Sequence, residues 1–257
     1  MRLVRCHVSA GGHLCWGVVR SGAVHRFLGD PLAGGRPGEV IGPLEEVRLL
    51  APCRPGKVVA LAANYRGATG ESPEMTEPLV FLKAPNSVCG PADDVVSPFP
   101  GARVWGEAEL AIVVGARLRR AGEGEAQAAI FGYTAANDVS ADNVDGRDHH
   151  LARSKSADTF CPLGPWIDTE YSPAGRRVEA RQNGELIRCG STDDRVWSCA
   201  RTLSRISSWM TLEPWDIVLT GTPPRRVPRR YLRPGDEFVV RIEGLGELKN
   251  RFRELGR

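Results

Sequence analysis

Two carboxylates, Glu107 and Glu109, open a stretch that is otherwise apolar: "GEAELAIVVG", residues 106–115. An apolar run of this length reads as a buried strand, and on a strand the side chains at i and i+2 share a face. The two acids therefore project together, with Cα atoms about 6–7 Å apart. Like charges at that spacing raise each other's pKa unless a cation lies between them. A hard divalent ion such as Mg²⁺ takes oxygen ligands and keeps positions for water or substrate. A third acid, Asp138, follows another apolar run in "YTAANDVSA". The alternative is plain: an edge strand whose glutamates pair with surface arginines. Spacing alone leaves both readings open. A softer metal finds no His/Cys cluster, because His149 and His150 are adjacent and point apart in an extended segment.

The basic residues carry a second signal. Of the 34 Lys and Arg residues only four are Lys, at positions 57, 83, 155 and 249. A lysine retained against so strong an arginine background merits a functional check, since a compact ammonium addresses a single oxygen where the guanidinium fork addresses two.

These groups need a scaffold. A chain of 257 residues that is 42% apolar can bury one large core, or a main domain with a small appendage. A net charge of +3 does not argue for nucleic acid. No window of about 18 apolar residues suggests a membrane span, and "MRLVRC" at the start lacks the apolar core of a signal peptide. Seven scattered cysteines without a CxxC pair favour reduced thiols in the cytoplasm. Residues 1–52 read as a small β-rich N-terminal domain and 53–257 as the main domain. Strands are expected at 14–19 and 23–27, with a Gly/Pro-rich connection over 30–43. Further strands are expected at 57–65, 79–83, 110–114, 130–136, 217–219 and 238–242. Asn183-Gly184 is a strong hairpin signal between 178–182 and 185–189. The spacing of Val196, Trp197, Ala200, Leu203, Ile206 and Met210 predicts a helix over 194–210 with Thr192 or Asp193 as cap. Many strands, few helices and frequent turns indicate a mainly-β (α+β) fold of sandwich or barrel type.

Taken in order, these motifs resemble the fumarylacetoacetate hydrolase family, in particular its smaller bacterial acylpyruvate hydrolases, oxaloacetate decarboxylases and homoprotocatechuate-pathway isomerase/decarboxylases. The similarity runs from residue 1 to about 253. It is carried by "ALAANYRG", "EPLVFLKAPNSVCGP", "GEAELAIVVG", "FGYTAANDVSA", "RSKSADTFCPLGPW" and "MTLEPWDIVLTGTP". The resemblance implies a mixed β-sandwich roll, usually a homodimer, with Mg²⁺ or Mn²⁺ held by Glu107, Glu109 and Asp138. It implies that Lys155 neutralises an enolate or carboxylate of the substrate, and that Thr222 with Gly221 binds a substrate carboxylate beside Tyr65 and Arg66. Lys83 is either part of that site or a buried lysine paired with a neighbouring acid.

Three positions depart from the family pattern. The hydrolytic His/Glu pair of Asn-Tyr-x-x-His-x-x-Glu reads here as Asn64-Tyr65 followed by Ala68 and Glu71, so the acid remains and the base is gone. His150 stands where the family has Gln, five residues before Lys155, and is a candidate replacement base or a simple polar contact. Pro224–Arg230 is arginine-rich where the family has a small glycine turn. It either contacts an anionic end of the substrate or is a solvated loop.

The expected activity is metal-dependent cleavage of a C–C bond, by hydrolysis or decarboxylation, in a small 2-oxo acid or 1,3-dicarbonyl, with the ion stabilising an enolate. The alternative is a non-hydrolytic isomerase or dehydratase/lyase on a related enolisable substrate. A third class, an idle relative kept for binding, conflicts with the intact acids, Lys155 and Thr222. No nucleic-acid or membrane partner is expected.

Overall fold

The computed structural model describes residues 1–8, 13–68, 75–142, 146 and 148–255. In chain order, β1 (Arg2–His7), β2 (Leu14–Arg20), β3 (Ala23–Asp30) and β4 (Gly34–Pro43) form an antiparallel meander, and β5 (Leu49–Leu50) pairs back on β1. There follow β6 (Val58–Ala62), β7 (Leu79–Lys83), β8 (Val88–Cys89), β9 (Val95–Ser97), β10 (Val104–Trp105) and β11 (Ala108–Val114). Next come α1 (Glu123–Ala128), β12 (Ile130–Asn137), β13 (Ser140–Ala141), α2 (Ala152–Ser156) and β14 (Cys161–Asp168). The chain closes with β15 (Arg177–Gln182), β16 (Glu185–Ser191), α3 (Cys199–Ser207), β17 (Ile217–Leu219), β18 (Glu237–Ile242) and β19 (Gly246–Glu254).

A large open sheet runs in the order β4-β3-β2-β1-β14-β12-β11-β17-β6-β7, and a five-stranded sheet runs β16-β15-β18-β19-β9. The fold is mainly β, as the turn-rich pattern indicates. The register explains why β11 reads as an unbroken apolar run. Leu110, Ile112 and Val114 pack with Val178, Val240, Leu248 and Phe252 of the second sheet, and also with Trp197, Leu203 and Ile206 on and just before α3. Ala111 and Val113 face the opposite way, onto Leu3, Ala60, Leu163 and Ile167. A strand buried on both faces needs apolar residues at every position rather than at alternate ones. Burial of this kind contributes about 25 cal/mol per Å² of apolar surface removed from water.

The N-terminal strands do not stand apart from this core. Strand β1 hydrogen-bonds β14, with Arg2 opposite Asp168 and Leu3 opposite Ile167, so both sets of strands share one sheet. The Gly/Pro-rich segment expected as a connection is instead the ten-residue β4. It lies at the edge of the sheet, where Pro37 and Pro43 need not supply ladder donors on both sides.

The expected helix over 194–210 is shorter, and its cap differs. Thr192–Asp194 forms a 3₁₀ turn, and α3 begins at Cys199 with Ser198 accepting a hydrogen bond from the Arg201 N–H. The cause is Asn64. Its backbone carbonyl accepts from the Val196 N–H at 2.8 Å and its side-chain oxygen from the Trp197 N–H at 2.8 Å. Residues 196 and 197 are thereby held in a bend and do not enter the helix. The hairpin is as expected, with Asn183 and Gly184 both at positive φ (51° and 80°), the two-residue turn that matches strand twist. No helix among the described residues is long and apolar enough to cross a membrane.

Candidate metal centre and active site

Glu107, Glu109 and Asp138 meet where β11 begins and β12 ends. The Asn137 side-chain oxygen accepts from the Glu107 N–H at 2.9 Å, and the Glu107 carbonyl accepts from the Asp138 N–H at 2.9 Å. These bonds lock two strand termini together, so that one carboxylate oxygen from each acid lies within 4.8 Å of the others. Glu109 and Asp138 are each only 1% exposed.

The expected surface ion pairs are only partly present. Strand β11 lies between β12 and β17, so it is central rather than an edge. Glu107 does pair with an arginine, but a buried one: Arg188 on β16 donates to Glu107 at 2.7 Å and to the Pro223 carbonyl at 2.8 Å. Glu109 forms no ion pair among the described residues and accepts the Gly221 N–H at 2.6 Å. Burial, reinforced by the charges of Asp138 and Glu107, pushes its carboxyl well above the usual glutamate range; Lys155 and the Gly221 N–H offset this only in part. An all-oxygen cluster with one acid under such strain is the donor set that a hard divalent cation relieves. The three acids therefore fit the ion.

Two lysines converge on Asp138. Lys83 is 1% exposed and donates to Asp138 at 2.7 Å and to the Val139 carbonyl at 3.0 Å. Lys155 donates to the other Asp138 oxygen and to Ser140 Oγ, and lies 3.7 Å from Glu107 and 4.5 Å from the centre of the Phe81 ring. Burial opposes charge on Asp138, but Lys155 and Lys83 outweigh it and hold the carboxyl below its ordinary value. Burial likewise opposes charge on Lys155, and Asp138 with Glu107 outweighs it, so this ammonium stays protonated. For Lys83 the reading as a buried lysine paired with an acid is correct, and the acid is one of the cluster. Helix α2 sets Lys155 in place. Asp148 anchors its first turn by accepting from the Arg153 N–H, the Ser154 N–H and the Ser154 hydroxyl.

The "TGTP" and "NYR" segments line the other side. Gly221 has φ +87°, and a Cβ there would lie 3.0 Å from Asn64 Cβ, so glycine is what lets its N–H reach Glu109. Asn64 donates to the Thr220 carbonyl at 2.8 Å and ties the two segments together. The hydroxyls of Tyr65 and Thr222 are buried and have no hydrogen-bond partner among the described residues. Burial raises the Tyr65 pKa, with Arg195 opposing and Glu109 adding to the rise, so the phenol remains a proton donor.

Other expected residues are not brought together. Arg66 is exposed, with its guanidinium 3.4 Å from the Asp193 carbonyl. Ala68 closes a turn onto the Tyr65 carbonyl, and Glu71 lies outside the described residues. His150 is exposed in the turn before α2, away from any hydrogen bond or ion pair with the carboxylates among the described residues. In the arginine-rich loop, Arg230 pairs with Glu185 and Arg229 stacks over Trp105. Sequence reasoning missed Arg188, Ser140 and the brace formed by Asn64 and Asn137. Arg188 was one arginine among thirty and gave no local signal. The two asparagines stood inside quoted motifs and could have been found by asking what ties the motif ends together.

A model described as fumarylacetoacetate (FAA) hydrolase C-terminal matches residues 57–253, and one described as Rv2993c-like, N-terminal matches residues 1–52. The chain belongs to the fumarylacetoacetate hydrolase family. Human oxaloacetate tautomerase FAHD2A, mitochondrial, is 38% identical over 226 residues, 81% of this chain and 70% of that protein. The crystal structure of 5-carboxymethyl-2-hydroxymuconate delta-isomerase from Mycobacterium smegmatis is 32% identical and superposes with TM-score 0.88 over 100% of both chains. A maleylpyruvate hydrolase from Sphingobium sp. SYK-6, solved with manganese(II) and pyruvate, is 28% identical with TM-score 0.79, again over 100% of both chains. This member of the fumarylacetoacetate hydrolase family is an enzyme, and its acidic cluster is a site able to hold a divalent cation.

Proposed function

We propose that this enzyme cleaves a C–C bond in a 2-oxo acid or 1,3-dicarbonyl compound, by decarboxylation or hydrolysis, with Mg²⁺ or Mn²⁺ held by Glu107, Glu109 and Asp138. The observation that carries the reading is the convergence of three carboxylate oxygens within 4.8 Å with two buried lysines. When bound, a divalent ion supplies Lewis-acid polarisation of substrate oxygens. The chain's own groups do the rest. Lys155, kept cationic by Asp138 and Glu107, neutralises negative charge that develops on the substrate. Tyr65 and Thr222 offer hydrogen-bond donors to a substrate carboxylate, and the Gly221 backbone keeps Glu109 turned toward the cluster. Arg188 holds Glu107 from behind while fixing the Pro223 carbonyl, so that "TGTP" and the glutamates move as one.

The test is calorimetry with Mg²⁺ and Mn²⁺ on the wild type and on Glu109→Ala, followed by turnover assays with oxaloacetate and with acylpyruvates. The expected result is ion binding and turnover in the wild type and loss of both in the variant. Equal behaviour of the two proteins overturns the reading.

A second reading, enol–keto isomerisation without loss of carbon, is favoured by Ala68, which has no group able to activate water. The tautomerase and isomerase relatives support it. Enol decay without carbon dioxide or a cleaved acid separates it from the first. The same reading takes the active form as a homodimer, supported by Leu79 and Leu82 on edge strand β7, which are 56% and 47% exposed; sedimentation velocity decides it. Seven free cysteines fit a cytoplasmic setting.

A further inference from the structure

Arg5 is buried without a counter-ion among the described residues. It lies on β1 and is 6% exposed; its guanidinium donates to the Ala51 carbonyl at 2.9 Å and makes no ion pair among the described residues. Guanidinium carries five N–H donors, and arginines are rarely buried without an anionic partner. A second arginine, Arg54, stands close by on the connection from β5 to β6. It is exposed and also makes no ion pair among the described residues. Burial first, and the Arg54 charge second, lower the Arg5 pKa. The fold is thus holding two like charges together.

Both line an open cleft of about 510 Å³ between the N-terminal strands and the segment of β8. The acid on its wall, Asp93, is already engaged, by the Gly90 N–H at 2.8 Å and by Arg48 at 3.5 Å. Cys53 and Cys89 also line the cleft, and burial pushes the Cys53 thiol up to about 12, so it adds no negative charge. The wall is left with two guanidinium groups that make no ion pair among the described residues, and a volume that admits a small ligand.

We propose that this cleft binds a small oxyanion, a phosphate or carboxylate group, between Arg5 and Arg54. The site is separate from the carboxylate cluster and does not depend on the reading of that cluster. Its position carries a consequence: Arg5 belongs to β1, while Pro85, Asn86 and Val88 on the opposite wall follow directly after Lys83. An anion here ties the N-terminal strands to the segment that presents Lys83 to Asp138.

The experiment uses the full chain in chloride buffer at constant ionic strength, titrated with inorganic phosphate, sulfate or malonate by calorimetry and thermal melting. Saturable binding with an upward shift in Tm is expected, and the ranking of phosphate against malonate identifies the oxyanion. Arg54→Ala, at an exposed position that does not threaten folding, weakens binding roughly ten- to hundredfold and leaves turnover in anion-free buffer unchanged. Arg5→Met, which keeps the apolar stem, removes binding. A shift that does not saturate and is equal in wild type and Arg54→Ala marks general exclusion of the salt from the protein surface, and overturns the proposal. Binding that survives Arg54→Ala but is lost in Lys155→Met places the anion in the carboxylate cluster and also overturns it.

Discussion

Lys83 shows how much of the site is held by charge that never meets solvent. It shares Asp138 with Lys155, both lysines lie among buried groups, and Asp138 depends on them to stay ionised at 1% exposure. Removing one partner of a buried ion pair costs about 3–5 kcal/mol. Lys83→Met is therefore expected to lower the urea midpoint sharply, with part of the loss restored by Mg²⁺, which brings a second cation to the same carboxylate. Equal destabilisation with and without Mg²⁺ counts against Asp138 as a ligand. Ala68 carries the other prediction at this scale. If water attacks the substrate, Ala68→His supplies the missing base and raises acylpyruvate hydrolysis by roughly 10²–10⁴-fold. No gain, with isomerisation intact, favours the second reading.

Among the elements, the shortest does much of the positioning. Helix α2 spans Ala152–Ser156, too few residues to stand by itself, and it is secured by the Asp148 carboxylate at its first turn. Burial opposes the Asp148 charge, but its hydrogen bonds from Ser154 and Arg153 outweigh it and hold the carboxyl below its ordinary value. A depressed folded-state pKa means stability present above the ordinary aspartate value and lost as pH falls through the lower one. Asp148→Asn should thus cost about 1 kcal/mol, as for a lost helix cap, at neutral pH. The gap to the wild type should narrow as pH falls below the ordinary aspartate value and close below the depressed folded-state one. Melts across that range check the sign. The turnover of Asp148→Asn should fall at neutral pH because Lys155 loses its support.

Across the whole molecule, one sheet joins strands from before and after residue 52. Because β1 pairs with β14 and Leu3 packs with Val58, Leu163 and Ile167, a chain starting at residue 53 bares a sheet edge and an apolar face. Such a truncation is expected to aggregate on refolding; a soluble, monodisperse product with native-like circular dichroism shows that the main domain is independent.

The sequence by itself placed many of the strands and the Asn183-Gly184 hairpin, and pointed to the three acids, because apolar runs and turn chemistry are local properties. It also supplied the family, through motifs in fixed order. It could not place β4 as a strand, because proline and glycine forbid central strands and only an edge position admits them. It overran α3, because the hydrogen bonds that hold residues 196 and 197 in a bend come from Asn64, 133 residues before Trp197. The pairing of Arg188 with Glu107 spans 81 residues, and the pairing of Lys83 with Asp138 spans 55. Long-range contacts of this kind exist only once the strands are in register. The carboxylates of Glu107 and Glu109 could be read as neighbours from their spacing; that Glu109 lies in a central strand, buried and without an ion pair among the described residues, was decided by the tertiary structure, which supplies the low-dielectric surroundings that make an ion there favourable.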